Sequence, residues 1–127
     1  MEKIKTVQEH EKLNEVYRAE EPDENGLFHT YIIAKADVEG EDYFSDNPIL
    51  AILRFQKGPR SEKKSLPGVL EVDLIEIVRD RLKTHQKGKY ACQENAVAIG
   101  YLEAALAAMN DRIEDRIKRG VLGKKEK

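Results

Sequence analysis

The sequence predicts an α+β fold, in which a small antiparallel sheet is followed by an antiparallel hairpin of two helices. Three observations support this. Short β-branched and aromatic runs lie in the first half of the chain, the apolar period changes after Pro67-Gly68, and Gly120 ends the last apolar stripe. The length of 127 residues, 40% of them hydrophobic, predicts one domain. We divide it into a β-rich part (1–70), a helical hairpin (71–120) and a flexible tail (121–127).

The first half of the chain supplies the predicted strands. Residues 1–20 mix apolar and charged side chains, which fits a short amphipathic helix or an irregular lead-in to a sheet. A turn is predicted over 21–26, where Pro, Asp, Asn and Gly cluster. Strands are predicted over 27–36 and 49–56, joined by the acidic connection 37–48. Two strands are marginal alone, so further strands must come from residues 1–20, from residues 37–48 or from a partner chain.

The second half predicts two helices joined by a short turn, which makes the pair antiparallel. Asp73 can act as the N-cap of the first helix, predicted over 73–86, and Glu76 can complete a capping box. The second helix is predicted over 93–119. The predicted apolar faces are Leu74, Ile77, Val78 and Leu82 in the first helix, and Ile99, Leu102, Leu106, Met109, Ile113 and Ile117 in the second.

Composition and charge exclude several function classes. Residues 1–47 carry 13 acidic and 5 basic side chains, whereas residues 48–127 carry 11 and 17, so the second half is the expected side for an anionic partner. The single cysteine, Cys92, excludes an internal disulfide, fits a reducing compartment and is predicted to be a small buried hydrophobe. Metal-ligand spacings, a signal peptide and long apolar runs are missing, so we expect a cytoplasmic protein without metal, cofactor or membrane partner.

Three arginines near the end of the second helix are the first candidate site residues. Arg116 and Arg119 follow Arg112 by four and seven residues, so a helix places all three along one side of its last two turns. They can offset the helix dipole and pair with neighbouring carboxylates in solvent, which the spacing alone favours. Alternatively, their forked donors bind phosphate oxygens, and one guanidinium plane lies against a purine ring.

Polar and aromatic side chains near the turn are the second group of candidates. Asn95 can cap the second helix, or its amide can bind the edge of an adenine or a ribose hydroxyl. His85 and Tyr90 are either core-edge rings or stacking platforms for a base. Asn95 and Arg116 lie about 30 Å apart along one helix. One small ligand can therefore contact both only if a second subunit brings its helix alongside in the reverse direction.

Five segments in this order carry a resemblance to a known family: FQKGPR, GVLEVDLIEIVRDRL, CQENAVAI, LEAAL and NDRIEDRIKRGVLG. From Phe55 to Gly123 the chain resembles the phage-encoded Thoeris anti-defence sponge proteins of the first type, whose helical hairpin is shared with phage anti-CBASS nucleotide sponges. The resemblance implies a non-catalytic protein that sequesters glycocyclic ADP-ribose isomers. It also implies a dimer, or a hexamer of dimers, and in some members a second kind of site for cyclic trinucleotides.

The resemblance further implies roles for individual residues. Arg112 and Arg116 would grip the ligand, one by stacking on adenine and the other through phosphate. Asn95 would add a hydrogen bond from the partner chain. His85 stands where the family carries a base-stacking Phe, and its imidazole offers a smaller flat face.

Two more basic residues complete the predicted ligand-binding set. Arg60, which follows Gly58-Pro59, is a candidate for the trinucleotide site or for the first pocket, and Arg119 extends the arginine row. Gln93 and Leu122 depart from the family, which usually has Arg and Glu at these positions.

Two other functions stay open at this point. A phage accessory protein could bind a host protein or a nucleic acid through Lys83, Lys87, Lys89 and the C-terminal arginines. A cyclic-nucleotide hydrolase would need a metal site or paired carboxylates, and the sequence suggests neither. We expect capture of a small cyclic nucleotide by a homo-oligomer, with no nucleic-acid polymer as partner.

Overall fold

The computed structural model describes residues 1–36 and 48–127, so the predicted connection over 37–48 lies, except for Pro48, outside the described residues. Six elements follow one another: β1 (Glu2–Lys3), β2 (Asn14–Arg18), β3 (Thr30–Lys35), β4 (Ile49–Arg54), α1 (Glu71–Gln86) and α2 (Gln93–Lys118). They confirm the predicted α+β class. The chain divides into two compact units, Met1–Phe55 and Gln56–Lys127. The single domain predicted for 1–127 stays a prediction.

The first unit contains a sheet of strand order β1-β2-β3-β4, in which each strand is antiparallel to its neighbour. Its buried side chains include Ile32 and Ala34 of β3, because alternate residues of a strand point to the same face. Residues 1–20 supply the two additional strands. The helix interpretation is wrong for residues 14–18, because Val16 and Tyr17 pair with β3 and satisfy their backbone groups there.

The start of α1 differs from the prediction. Leu70, not Asp73, is the N-cap residue, and Asp73 lies in the first turn of the helix. The Asp73 carboxylate accepts a hydrogen bond from the backbone N–H of Leu70 at 2.8 Å. An acidic side chain three residues after the N-cap can accept a hydrogen bond from the N-cap backbone in this way. Asp73 therefore stabilises the N-terminus of α1 from within its first turn, and the helix begins two residues before Asp73.

The two helices pack through faces that were only partly predicted. In α1, Leu74 and Leu82 are half-buried as predicted, whereas Ile77 and Val78 are exposed. Val72, Ile75 and Arg79 complete the half-buried face. In α2, Ile99, Leu102, Leu106 and Met109 are half-buried as predicted, whereas Ile113 and Ile117 are exposed. Neither helix contains a fully buried residue. Within this chain, the hairpin therefore leaves much of its apolar surface uncovered.

The end of α2 is a Schellman motif, which confirms the stop predicted at Gly120. Gly120 has a φ of 70°, and its N–H donates to the carbonyl of Ile117 at 3.0 Å. The next residue, Val121, donates to the carbonyl of Arg116 at 3.0 Å and is buried. The chain thus reverses at this point and runs back past Arg116.

In the described ranges, neither helix is both long and apolar enough to cross a membrane.

The predicted turn before β3 is organised by Asp23. One oxygen of its carboxylate accepts hydrogen bonds from the backbone N–H groups of Asn25 and Leu27, at 2.8 and 3.0 Å. The other oxygen lies 2.8 Å from Nε2 of His29. The hydrogen bond with His29 lowers the pKa of Asp23, and the backbone hydrogen bond from Leu27 lowers it further. The ionised carboxylate therefore stabilises this turn.

The first prediction concerns acid stability. Because the folded-state pKa of Asp23 is lowered, its stabilising effect is present above the unfolded value of about 3.9 and is lost as the pH falls through the lowered value. We expect Asp23→Asn to reduce the melting temperature at pH 7, and we expect this reduction to become smaller toward about pH 2, as the carboxylate of the unaltered chain becomes protonated. Glu24→Gln, at an exposed position of the same turn, is the matched control. An equal loss at both pH values would contradict the assignment.

Candidate ligand-binding site

The six residues predicted from the sequence fall into two groups, both in the second unit. His85 and Asn95 lie at the turn between the helices, and Arg112, Arg116 and Arg119 lie at the other end of α2. The helical rise separates Asn95 from Arg116 by about 30 Å, as the sequence predicts. Arg60, the sixth residue, contacts the segment that follows α2. The structure therefore forms one cluster at each end of the hairpin.

The turn cluster is built around Tyr90. The rings of His85 and Tyr90 meet edge to face, with their centroids 6.4 Å apart and an interplanar angle of 85°. The side-chain amide of Asn95 donates to the backbone carbonyl of Tyr90 at 3.3 Å. The ammonium group of Lys89 lies 5.2 Å from the centre of the Tyr90 ring. These contacts bring His85 and Asn95 together and leave the ring of Tyr90 mostly exposed.

Asn95 does not cap α2. The N-cap residue is Cys92, which makes no side-chain capping bond, and Asn95 is the third residue of the helix. Since its amide donates to Tyr90, Asn95 fixes the turn rather than the helix end. Its Oδ1 accepts no hydrogen bond from any residue that the structure describes. Cys92 itself is exposed, so the prediction of a buried cysteine is wrong.

Gln86 is a positioning residue that the sequence analysis did not single out. Its Nε2 donates to the carbonyl of Cys92, and its Oε1 accepts from the backbone N–H of Cys92, both at 2.9 Å. The side-chain amide thus satisfies both the N–H and the carbonyl of Cys92, as a residue of a paired strand would. This pair of bonds closes the turn over residues 87–92. The only sequence signal is a Gln at the last position of a helix that is followed by a Gly-containing turn.

The three arginines make different contacts. Arg116 is half-buried, and its terminal nitrogens donate to backbone carbonyls of the segment after α2. Arg119 pairs with Asp115 at 3.0 Å and donates to the carbonyl of Lys127 at 2.7 Å. Arg112 is exposed and has no hydrogen bond or ion pair with a described residue. The carboxylate pairing expected from the spacing is thus found for Arg119 alone.

The loop that carries Arg60 packs against the segment after α2. A bridge between Lys57 and Leu66 closes this loop. The backbone N–H and the hydroxyl of Ser61 both donate to the carbonyl of Gly123, at 3.2 and 2.5 Å. A Cβ atom on Gly123 would lie only 2.7 Å from Cγ of Arg60. Arg60 and Arg116 therefore contact the same segment, from the loop and from the helix. The flexibility predicted for 121–127 stays a prediction.

A groove of about 560 Å³ lies between the helices, away from all six residues. It contains Arg79, which donates two hydrogen bonds to Glu103, at 3.1 and 2.9 Å, and lies 3.4 Å from a carboxylate oxygen of Glu76. The bonds to Glu103 raise the pKa of Arg79 above its ordinary value. Because two carboxylates surround one cation, this groove is unsuited to phosphate, and we assign it a packing role.

In the described parts of the chain, no cluster of side chains could hold a metal ion.

Comparison with known proteins places the helical half of the chain in a family. Residues 50–114, slightly more than half of the chain, match the family model described as "Acb2/Tad1, hairpin domain". The chain is also similar to the protein named Thoeris anti-defense 1 of Bacillus phage SBSphiJ7, with 45% identity over 78 residues. That alignment covers 61% of this chain and 54% of the relative, so the chain spans about half the length of the curated relative it matches.

The second prediction tests the turn. In Gln86→Glu the carboxylate can still accept from Cys92 N–H, but its second oxygen faces the Cys92 carbonyl and cannot donate. The loss of a hydrogen bond that closes the turn should reduce the free energy of unfolding by about 1–3 kcal/mol, measured by urea denaturation. Gln93→Glu, which makes the same change at an exposed position in the first turn of α2, should have little effect. Equal behaviour of the two variants would show that Gln86 does not hold the turn.

Proposed function

The chain belongs to the Acb2/Tad1 hairpin family, and from that premise we propose that it is a phage anti-defence protein that captures a cyclic nucleotide signal. The similarity to Thoeris anti-defense 1 supports this proposal. We infer that the ligand is a glycocyclic ADP-ribose isomer, with cyclic trinucleotides as further ligands. The protein binds it in the cytoplasm of the infected bacterium and does not change it. The observation that carries this proposal is the pair of complementary clusters at the two ends of the hairpin.

The two clusters offer the groups that such a ligand requires. A cyclic ADP-ribose isomer presents an adenine, ribose hydroxyls and a pyrophosphate. Arg112 makes no hydrogen bond or ion pair with a described residue, so its forked donors can serve phosphate oxygens. The rings of His85 and Tyr90 provide flat surfaces, and the Oδ1 of Asn95 provides an acceptor for a hydroxyl or for an exocyclic amine. The charge, the rings and the amide together favour a nucleotide over a simple anion.

The distance between the clusters requires a second copy of the chain. About 30 Å separates them within one hairpin, which is more than a small cyclic nucleotide can bridge. A second hairpin in the reverse direction would place its turn cluster beside the arginines of the first. Two equivalent sites would form at the two ends of such a pair, as twofold symmetry requires.

The outer face of α2 supports this arrangement. Val97, Tyr101, Ala104, Ala108 and Arg112 follow one another at steps of three and four residues, so they share one side of the helix. Val97 and Tyr101 are 49% and 74% exposed within one chain. Small alanines allow two helices to approach closely. A twofold axis between Tyr101 and Ala104 would place the turn of one chain alongside Arg112 of the other, which ends the same stripe.

The burial pattern is a second argument for an oligomer. Neither helix has a fully buried residue, although α1 and α2 contain many apolar side chains. Monomeric proteins rarely leave such a continuous apolar surface in contact with water. A dimer, or a hexamer of dimers, would cover it.

A capture experiment distinguishes this function from its alternatives. The protein is incubated with glycocyclic ADP-ribose isomers or cyclic trinucleotides, washed and denatured by heat. We expect intact ligand to be released, whereas fragments would indicate hydrolysis. Binding of DNA or RNA that weakens steeply between about 50 and 200 mM salt would instead favour the basic hairpin as a nucleic-acid surface. Failure to retain any cyclic nucleotide would overturn the proposal.

The third prediction concerns Arg112. We expect Arg112→Ala to weaken glycocyclic ADP-ribose binding by roughly 10- to 100-fold, because hydrogen bonds between charged groups are lost. Its unfolding free energy should change by less than about 0.5 kcal/mol, since Arg112 is exposed and makes no hydrogen bond or ion pair with a described residue. Isothermal titration calorimetry and a thermal melt measure the two effects. Lys118→Ala removes one positive charge from a different side of the same helix and serves as the control. Unchanged affinity in Arg112→Ala would remove this residue from the site.

The fourth prediction concerns the outer face of α2. Tyr101→Glu would place a charge at the centre of the proposed helix pair, so we expect dissociation to monomers in native mass spectrometry and loss of ligand binding. Ala96→Glu introduces the same side chain at an exposed position on another side of α2 and should leave the assembly intact. A Tyr101→Glu protein of unchanged mass would exclude this face as the contact.

A further inference from the structure

We propose that residues Val121–Lys127 form a strap that positions the guanidinium group of Arg116, so that Arg116 offers its flat face and not its forked donors to the ligand. This inference rests on the proposed function and assigns a role to a segment outside the matched hairpin domain. The family resemblance implies one stacking and one phosphate-binding arginine, and the strap gives a physical reason to assign the stacking role to Arg116.

The strap occupies all four terminal N–H groups of Arg116. One terminal nitrogen donates to the carbonyls of Val121 and Lys124, each at 2.9 Å. The other donates to the carbonyl of Lys127 at 3.1 Å and to that of Glu126. A guanidinium group has five N–H donors in one plane, so only Nε stays available for a further in-plane partner. Both faces of the plane are unaffected by these bonds, and a flat guanidinium face is suited to stacking on a purine.

Arg112 provides the contrast within the same helix. It lies one turn before Arg116 and has no partner among the described residues, so its fork is available to phosphate oxygens. The strap therefore distinguishes a phosphate-binding arginine from a stacking one. Because the carbonyls order the Arg116 side chain before the ligand arrives, the entropy cost of fixing this long side chain does not fall on binding.

The strap is held at its middle and at its end. Ser61 donates twice to the carbonyl of Gly123, and Arg119 donates to the carbonyl of Lys127 at 2.7 Å. Gly123 has a φ of 79°, and the side chain of Arg60 occupies the space that a Cβ atom would need. Two separate features therefore require glycine at this position: the left-handed backbone and the close approach of Arg60.

The test loosens the strap without substituting an arginine, and Ser61→Ala does so without crowding the side chain of Arg60. Gly123→Ala strains the backbone and displaces Arg60, and Ser61→Ala is a milder variant that removes one hydroxyl donor. Gly26→Ala is the control, because Gly26 has a similar φ of 82° with open space around it, in the other unit. Arg116 N–H exchange is measured by NMR on the full chain with labelled arginine, and calorimetry measures binding of a glycocyclic ADP-ribose isomer.

We expect faster exchange of the Arg116 guanidinium protons in both strap variants and about two- to tenfold weaker binding of the isomer. The control should change neither. Unchanged exchange would overturn the strap, and tighter or equal binding with a loosened strap would show that the segment obstructs or ignores the ligand. If the unaltered chain binds no such isomer, the proposed function fails, while the exchange rates still decide whether the strap holds Arg116.

Discussion

The fixed length of α2 is the constraint on which the proposed site depends. Its 26 residues rise by about 1.5 Å each, so the turn cluster and the arginine end cannot meet within one chain. Both ends are closed by hydrogen bonds: Gln86 pairs with Cys92 at the turn, and Gly120 reverses the chain at the other end. Because neither end can move toward the other within one chain, the proposed site needs a second copy in the reverse direction, which would bring the turn cluster of one chain beside the arginines of the other.

Local sequence patterns predicted most of the fold. The predictions failed where the structure of a segment depends on residues that are far away in the sequence. The turn before β3 and the stop at Gly120 depend on nearby residues, and both were predicted. For residues 14–18 the sequence left a helix and a strand open, because Val16 and Tyr17 become a strand only through pairing with β3. The inner face of α1 was also partly wrong. Arg79 lies there because Glu103, 24 residues away, neutralises its charge, and no periodicity of apolar residues indicates such a pair.

The candidate site shows the same division. The distance between the two ends of α2 was predicted from helical geometry, because the rise per residue is fixed. The roles within each end did not follow. Arg112 and Arg116 lie one turn apart on the same side of α2, so the sequence pattern did not distinguish them. The chain reversal after α2 gives Arg116 four carbonyl partners, whereas Arg112 has none in the described chain. Backbone acceptors have no signature in the side-chain sequence, so contacts of this kind emerge only from the three-dimensional path.

The position of Cys92 offers a practical handle. It is the single cysteine of the sequence, it is exposed, and it marks the first turn of α2 beside the turn cluster. In the antiparallel arrangement, the two thiols of a pair would lie about 30 Å apart along the helix axis. Thiol-reactive fluorophores would therefore attach at one defined place per chain, at a separation suited to energy transfer between protomers. The natural sequence therefore allows the proposed assembly to be tested without any added labelling residue.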